Sequence, residues 1–167
     1  MTTLRKYTIF AGQAIVTSAP ALISTVLGSC VSVCLLDKKT GVGGLNHFLL
    51  PGIPSDEANN LNRGLTSTAV LIRSMLNRMA TIDTLEAKVF GGCNSLYQND
   101  IYKVGERNIA IALAVLKAFE IRVVAKHVGG SHGRKIIFNT ATGRVRVEIL
   151  SKTAIEINEE IDKGFGY

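Results

Sequence analysis

Short stretches of alternating or continuous apolar residues, separated by glycine-bearing turns, fill most of the chain. Gln13 to Ala19 and Leu22 to Leu27 read as extended segments, and Gly28-Ser29-Cys30 interrupts the second. Val31, Val33 and Leu35 then alternate with Ser32, Cys34 and Leu36, as a strand requires. Asp37 to Gly41 is turn-like, and Gly43 to Leu50 reads as the returning strand of a hairpin, stopped by Pro51. Pro51 to Asn62 is polar and carries two prolines, which predicts a loop.

Helical spacing appears twice. Leu65, Ala69, Ile72, Leu76 and Met79 predict a helix over Thr66 to Met79, with Thr66 or Ser67 as its cap. Ile109, Ala112, Leu113 and Leu116 predict a second over Glu106 to Phe119. Glu86 to Phe90, Ile121 to Val128, Lys135 to Phe138 and Val145 to Leu150 complete the strands, the last two joined by a Thr142-Gly143 turn. Strands linked by short turns pair antiparallel. The expected class is therefore α/β in the α+β sense, mostly antiparallel, with two helices.

Composition narrows this further. The 167 residues are 47% apolar and 19% charged, which suits one folded domain over 1–167, with a weakly patterned peripheral tail from Ser151. The longest apolar run, Ile109 to Leu116, has 8 residues. A membrane helix needs roughly 20, so membrane insertion is not expected. Arg5-Lys6 followed by an apolar stretch imitates a secretory signal, but Gln13, Thr17, Ser18 and Pro20 break it. Three cysteines do not make a disulfide framework in a chain able to build a core, and a reducing cytoplasm is the simpler setting. The net charge is +6, with six bases and no acid between Glu120 and Glu148. No aromatic pattern interleaves with them, so a solvated sheet face is expected in preference to nucleic-acid binding.

The chemistry left open is that of a thiol and an imidazole. Cys30 and Cys34 have no second pair for zinc, no glycine cluster is followed by Lys-Ser or Lys-Thr, and no Gly-x-Ser-x-Gly elbow occurs. Cys30 stands where a strand meets a glycine-containing bend, a setting that exposes a side chain and turns backbone N–H groups toward it. His47 follows 17 residues later; a closed hairpin would bring the two to one end of neighbouring strands. There the ring can take the thiol proton, with a hydroxyl from Ser24 or Thr25 to orient it. Cys34 reads as core, Cys93 as a thiol with no histidine near it in sequence, and His127 and His132 as exposed loop residues.

Several short motifs, in order along the chain, carry a resemblance. Leu27-Gly28-Ser29-Cys30-Val31, Gly44-Leu45-Asn46-His47-Phe48-Leu49-Leu50-Pro51, Val89-Phe90-Gly91-Gly92, Gly105-Glu106-Arg107-Asn108, Val128-Gly129-Gly130 and Gly133-Arg134-Lys135 together resemble the CheD family, chemoreceptor glutamine deamidases of bacteria and archaea. The resemblance implies a layered β-sandwich with flanking helices, a cysteine-hydrolase fold like that of cytotoxic necrotizing factor. It implies a cytoplasmic, monomeric enzyme without cofactor or metal that converts receptor glutamines to glutamate through a cysteine thioester. Its nucleophile falls on Cys30 and its base on His47. The third member falls on Ser24, where the family has threonine, with Thr25 and Ser29 in support. Cys93 replaces an expected small residue, and His127 an expected aspartate. The implied partners are the cytoplasmic helices of methyl-accepting chemotaxis proteins and a CheC-type phosphatase. The alternative implied is an adaptor joining receptors to that phosphatase with little catalytic role.

Overall fold

Val31–Asp37 (β4) is buried at every residue, so both of its faces must be covered. A computed structural model, which describes residues 3–52, 60–94 and 102–151, shows by what. One face of β4 meets a second sheet, and the other meets two helices.

The sheet containing β4 has five strands in the order β2-β5-β4-β6-β7. These are Gln13–Thr17 (β2), Gly43–His47 (β5), Leu85–Gly91 (β6) and Arg122–Val128 (β7) around β4. The other sheet has the order β1-β3-β8-β9, formed by Arg5–Thr8 (β1), Ala21–Leu27 (β3), Arg134–Asn139 (β8) and Val145–Ile149 (β9). Pairing is antiparallel except for β1 with β3 and β6 with β7. The expected hairpins are present: β4 returns as β5, and β8 as β9.

Val31, Val33 and Leu35 point to the helical side, where Leu71, Ile72, Met75, Ala112, Val115 and Leu116 pack on them. These come from Gly64–Leu76 (α1) and Val104–Ala118 (α2). Cys34 and Leu36 point the other way, into a core with Ile23, Leu27, Leu45, Phe90, Ile136 and Phe138 between the sheets. The result is three layers: sheet, sheet, helices. Covering both faces explains why β4 reads as nearly continuous apolar sequence.

Three local expectations change. Helix α1 begins at Gly64 behind Arg63, with no side-chain cap, so Thr66 and Ser67 lie inside it; Ser67 is buried. The strand expected over Gly43 to Leu50 ends at His47, after which only single bridges join Phe48 to Val31 and Leu50 to Arg63. Arg5–Thr8, not foreseen as a strand, runs parallel to β3 at the sheet edge, where three of its four residues are exposed. The tail from 152 onward and most of the loop expected over Pro51 to Asn62 fall outside the described residues.

Candidate active site

The site lies at the end of the sandwich where β3 runs out, β4 begins and β5 ends. Thr25 lies between Ile23 and Leu27 on the inner face of β3 and is 1% exposed. His47, also 1% exposed, ends β5 two residues beyond Leu45, which faces the same inter-sheet core. The two meet across the gap between the sheets: Thr25 Oγ1 is 2.7 Å from His47 Nδ1.

That contact assigns the ring's proton. The Thr25 hydroxyl donates its single hydrogen to the Ile9 carbonyl at 2.8 Å. Its oxygen can then only accept, so Nδ1 carries the proton and donates to it. Nε2 is left with its lone pair. It is buried and has no hydrogen-bond partner among the described residues. Burial pushes the imidazole pKa down from 6.5 to about 4, which keeps the ring neutral near pH 7.

Cys30 stands one residue before β4, half-buried, and packs on the same inter-sheet cluster as Cys34 and Leu45. The β4–β5 register places Cys34 opposite Leu45, and Val31 bridges to Phe48. Ser32 is therefore opposite His47, and continuing the register one step beyond β4 puts Cys30 at the diagonal same-face position from His47. Cys34 is different: it is fully buried, and desolvation drives its thiol pKa well upward, making it inert.

The expected hydroxyl partner of the ring is corrected. Ser24 is on the opposite face of β3 from Thr25, because side chains alternate along a strand. Its hydroxyl lies 3.1 Å from Thr8 Oγ1 and donates to the Tyr7 carbonyl at 3.3 Å, both in β1. Thr25, expected to be the weaker candidate, holds the imidazole. Ser29 contributes its backbone: its carbonyl accepts from Asn108 Nδ2 at 3.0 Å. Asn108 stood in sequence only as the last residue of the Gly105-Glu106-Arg107-Asn108 motif, with no role, although an asparagine four residues before Ala112 on the buried stripe of a helix must find partners.

Two glycine-bearing turns wall the site. The Gly92 N–H donates to the Cys30 carbonyl at 2.8 Å and the Cys93 N–H to the Gly28 carbonyl at 3.0 Å. Gly91 has φ +103°, and a Cβ there would run into the Cys30 carbonyl, so the close approach requires glycine. Arg134, 2% exposed, donates to the carbonyls of His127, Gly129 and His132 and to His127 Nδ1. His127 thus belongs to β7 and is tied to Arg134; it is not a free loop residue. The basic stretch is partly committed to structure as well. Arg122 pairs with Glu86 at 2.6 Å, and Arg146 with Glu148 at 3.1 Å.

Fold and site define a layered α+β protein with a half-buried thiol and a buried, hydroxyl-anchored imidazole on the same inter-sheet face at one end of a sandwich. Comparison with known proteins places it more closely. The family model described as CheD chemotactic sensory transduction matches residues 49–149, and the chain belongs to the CheD family. A "Probable chemoreceptor glutamine deamidase CheD" of Thiobacillus denitrificans is 43% identical over 148 residues, 86% of this chain and 73% of that one. Proteins of the same name from Sinorhizobium medicae and Trichlorobacter lovleyi are 41% and 43% identical over 85% of this chain, covering 78% and 89% of their own lengths. The solved structure of the Bacillus licheniformis hypothetical protein YfiH aligns with a TM-score of 0.48 at 11% identity, over 68% of this chain and 49% of that one.

Proposed function

We propose that this chain deamidates glutamine side chains of chemoreceptors, using Cys30 as nucleophile and His47 as base. The observation that carries this reading is the Thr25–His47 hydrogen bond, which leaves Nε2 as a proton acceptor on the face that Cys30 shares. The relatives' names supply the substrate class.

At rest the buried ring is neutral. As Sγ bonds to the glutamine carboxamide carbon, its proton passes to Nε2 and the carbonyl becomes an oxyanion. Backbone N–H groups at the Gly28-Ser29-Cys30 bend are suited to hold that charge. The C–N bond then breaks, and the proton on Nε2 leaves with the nitrogen as ammonia. Water attacks the resulting thioester while Nε2 takes a proton from it. Collapse returns that proton to sulfur and releases a glutamate side chain. Glutamine and water become glutamate and ammonia, with no metal or organic cofactor called on. The setting is the cytoplasm, where receptor signalling helices lie.

The test incubates the protein with a chemoreceptor cytoplasmic fragment and follows Gln→Glu conversion by peptide mass spectrometry. Conversion at discrete glutamines is expected. A fragment that binds yet is never converted would leave an adaptor and remove the enzyme.

The two hydroxyls should separate in the same assay. Thr25→Val keeps shape but releases the ring, and the conversion rate is expected to fall about 100-fold, as for other small misplacements of a reacting group. Ser24→Ala should leave the rate unchanged. The opposite ranking would restore Ser24 to the site.

A further inference from the structure

Beyond the Val31–Phe48 bridge, the β4–β5 ladder opens into a fork. The Leu49 and Leu50 N–H groups both turn away to the Asn62 carbonyl, at 3.0 Å each. On the other prong, the Gly28 and Cys30 carbonyls are taken by Cys93 and Gly92. The intervening Ser29 carbonyl and the Leu49 carbonyl across the fork are met by one group. Asn108 Nδ2, on α2, donates to Ser29 at 3.0 Å and to Leu49 at 2.7 Å.

Asn108 is wholly buried, and its Oδ1 has no hydrogen-bond partner among the described residues. Two carbonyls can be bonded only by a donor, so the amide nitrogen must face the fork. Both of its hydrogens are spent there, and its oxygen contributes nothing visible. A buried amide with an unused acceptor is held for its two donors.

We propose that Asn108 is a positioning residue that sets the width of this fork, and so the separation of Cys30 from His47. One bonded carbonyl is a peptide away from Cys30; the other is two residues past His47. The inference rests on the reading that these two side chains act together, and it adds the residue that spaces them.

The experiment measures alkylation of Cys30 by iodoacetamide against pH, followed on the Cys30 peptide, in the full chain well below its unfolding transition. Asn108→Leu keeps the volume and removes both donors. Its Cys30 alkylation rate near neutral pH is expected to fall about 10-fold, with the pH midpoint moved upward, because the ring is no longer placed to take the thiol proton. Conversion of a receptor fragment should lose kcat in the same proportion with KM within about twofold. If the melting temperature drops but the alkylation profile of the folded protein stays as in wild type, Asn108 is merely structural and the proposal is overturned. Should Asn108→Leu not fold, Asn108→Ser carries the same expectation and the same overturning result. His47→Gln is run alongside. If it leaves the alkylation profile unchanged, the pairing of Cys30 with His47 is what fails. If it shifts the profile and the Asn108 variants do not, the positioning role alone fails. Because alkylation needs no receptor, neither result depends on the substrate being correct.

Discussion

Cys30→Ala is expected to lower receptor glutamine conversion by at least about 1,000-fold, the scale seen when a covalent nucleophile is removed. Cys30 is half-buried at the edge of the inter-sheet cluster, so losing its sulfur should cost little stability. Thermal unfolding of the variant should stay close to wild type. Loss of activity in a folded protein then reports chemistry. Cys30→Ser should be nearly as inactive. A neutral imidazole held near pKa 4 is a weak base, better matched to a thiol than to the far less acidic hydroxyl. Peptide mass spectrometry on one receptor fragment reads all three proteins. Conversion by Cys30→Ala at the wild-type rate would remove the thioester, and with it every role assigned here to the neighbours of Cys30.

His47→Gln should have the second largest effect, with two signatures. The first is kinetic: conversion falls by about 100- to 10,000-fold, the usual contribution of a positioned general base. Glutamine keeps an amide donor for Thr25 Oγ1 but cannot shuttle a proton. The second is thermodynamic and needs no substrate. The unfolded histidine takes up a proton near pH 6.5, whereas the buried ring does so only near 4. Between those values the unfolded state binds more protons, so the stability that His47 contributes is constant above about 6.5 and falls as the pH drops toward 4. The full loss from this one group is about 3 kcal/mol, the 6.5-to-4 displacement expressed as free energy. Urea midpoints taken at neutral pH and near pH 5 should therefore fall in wild type and fall less in His47→Gln. Equal acid-side losses would mean that the ring is not buried in its neutral form.

Much of this was legible in sequence, for a definite reason. Periodicity and turn chemistry are local, so the long strands, both helices and the two hairpins were readable within a few residues. The failures were equally specific. Arg5–Thr8 has no apolar alternation and becomes a strand only because β3 offers it an edge. The parity of β3 could not be read because both faces carry apolar residues, Leu22 and Val26 on one side and Ile23 and Leu27 on the other. With no contrast between faces, nothing in the chain distinguished Thr25 from Ser24 as the inward residue.

The sequence by itself determined both helices, the strands other than Arg5–Thr8, the α+β class and the candidate pair Cys30 and His47, because those follow from spacing, residue chemistry and motif order. Only the tertiary structure decided that Thr25 anchors the ring and that Asn108 bridges the fork. Each of those choices is made by a hydrogen bond between segments remote in sequence, Thr25 to His47 across two sheets and Asn108 to Ser29 and Leu49. A bond of that kind depends on which face of each element turns inward, and that is settled when the layers close on one another.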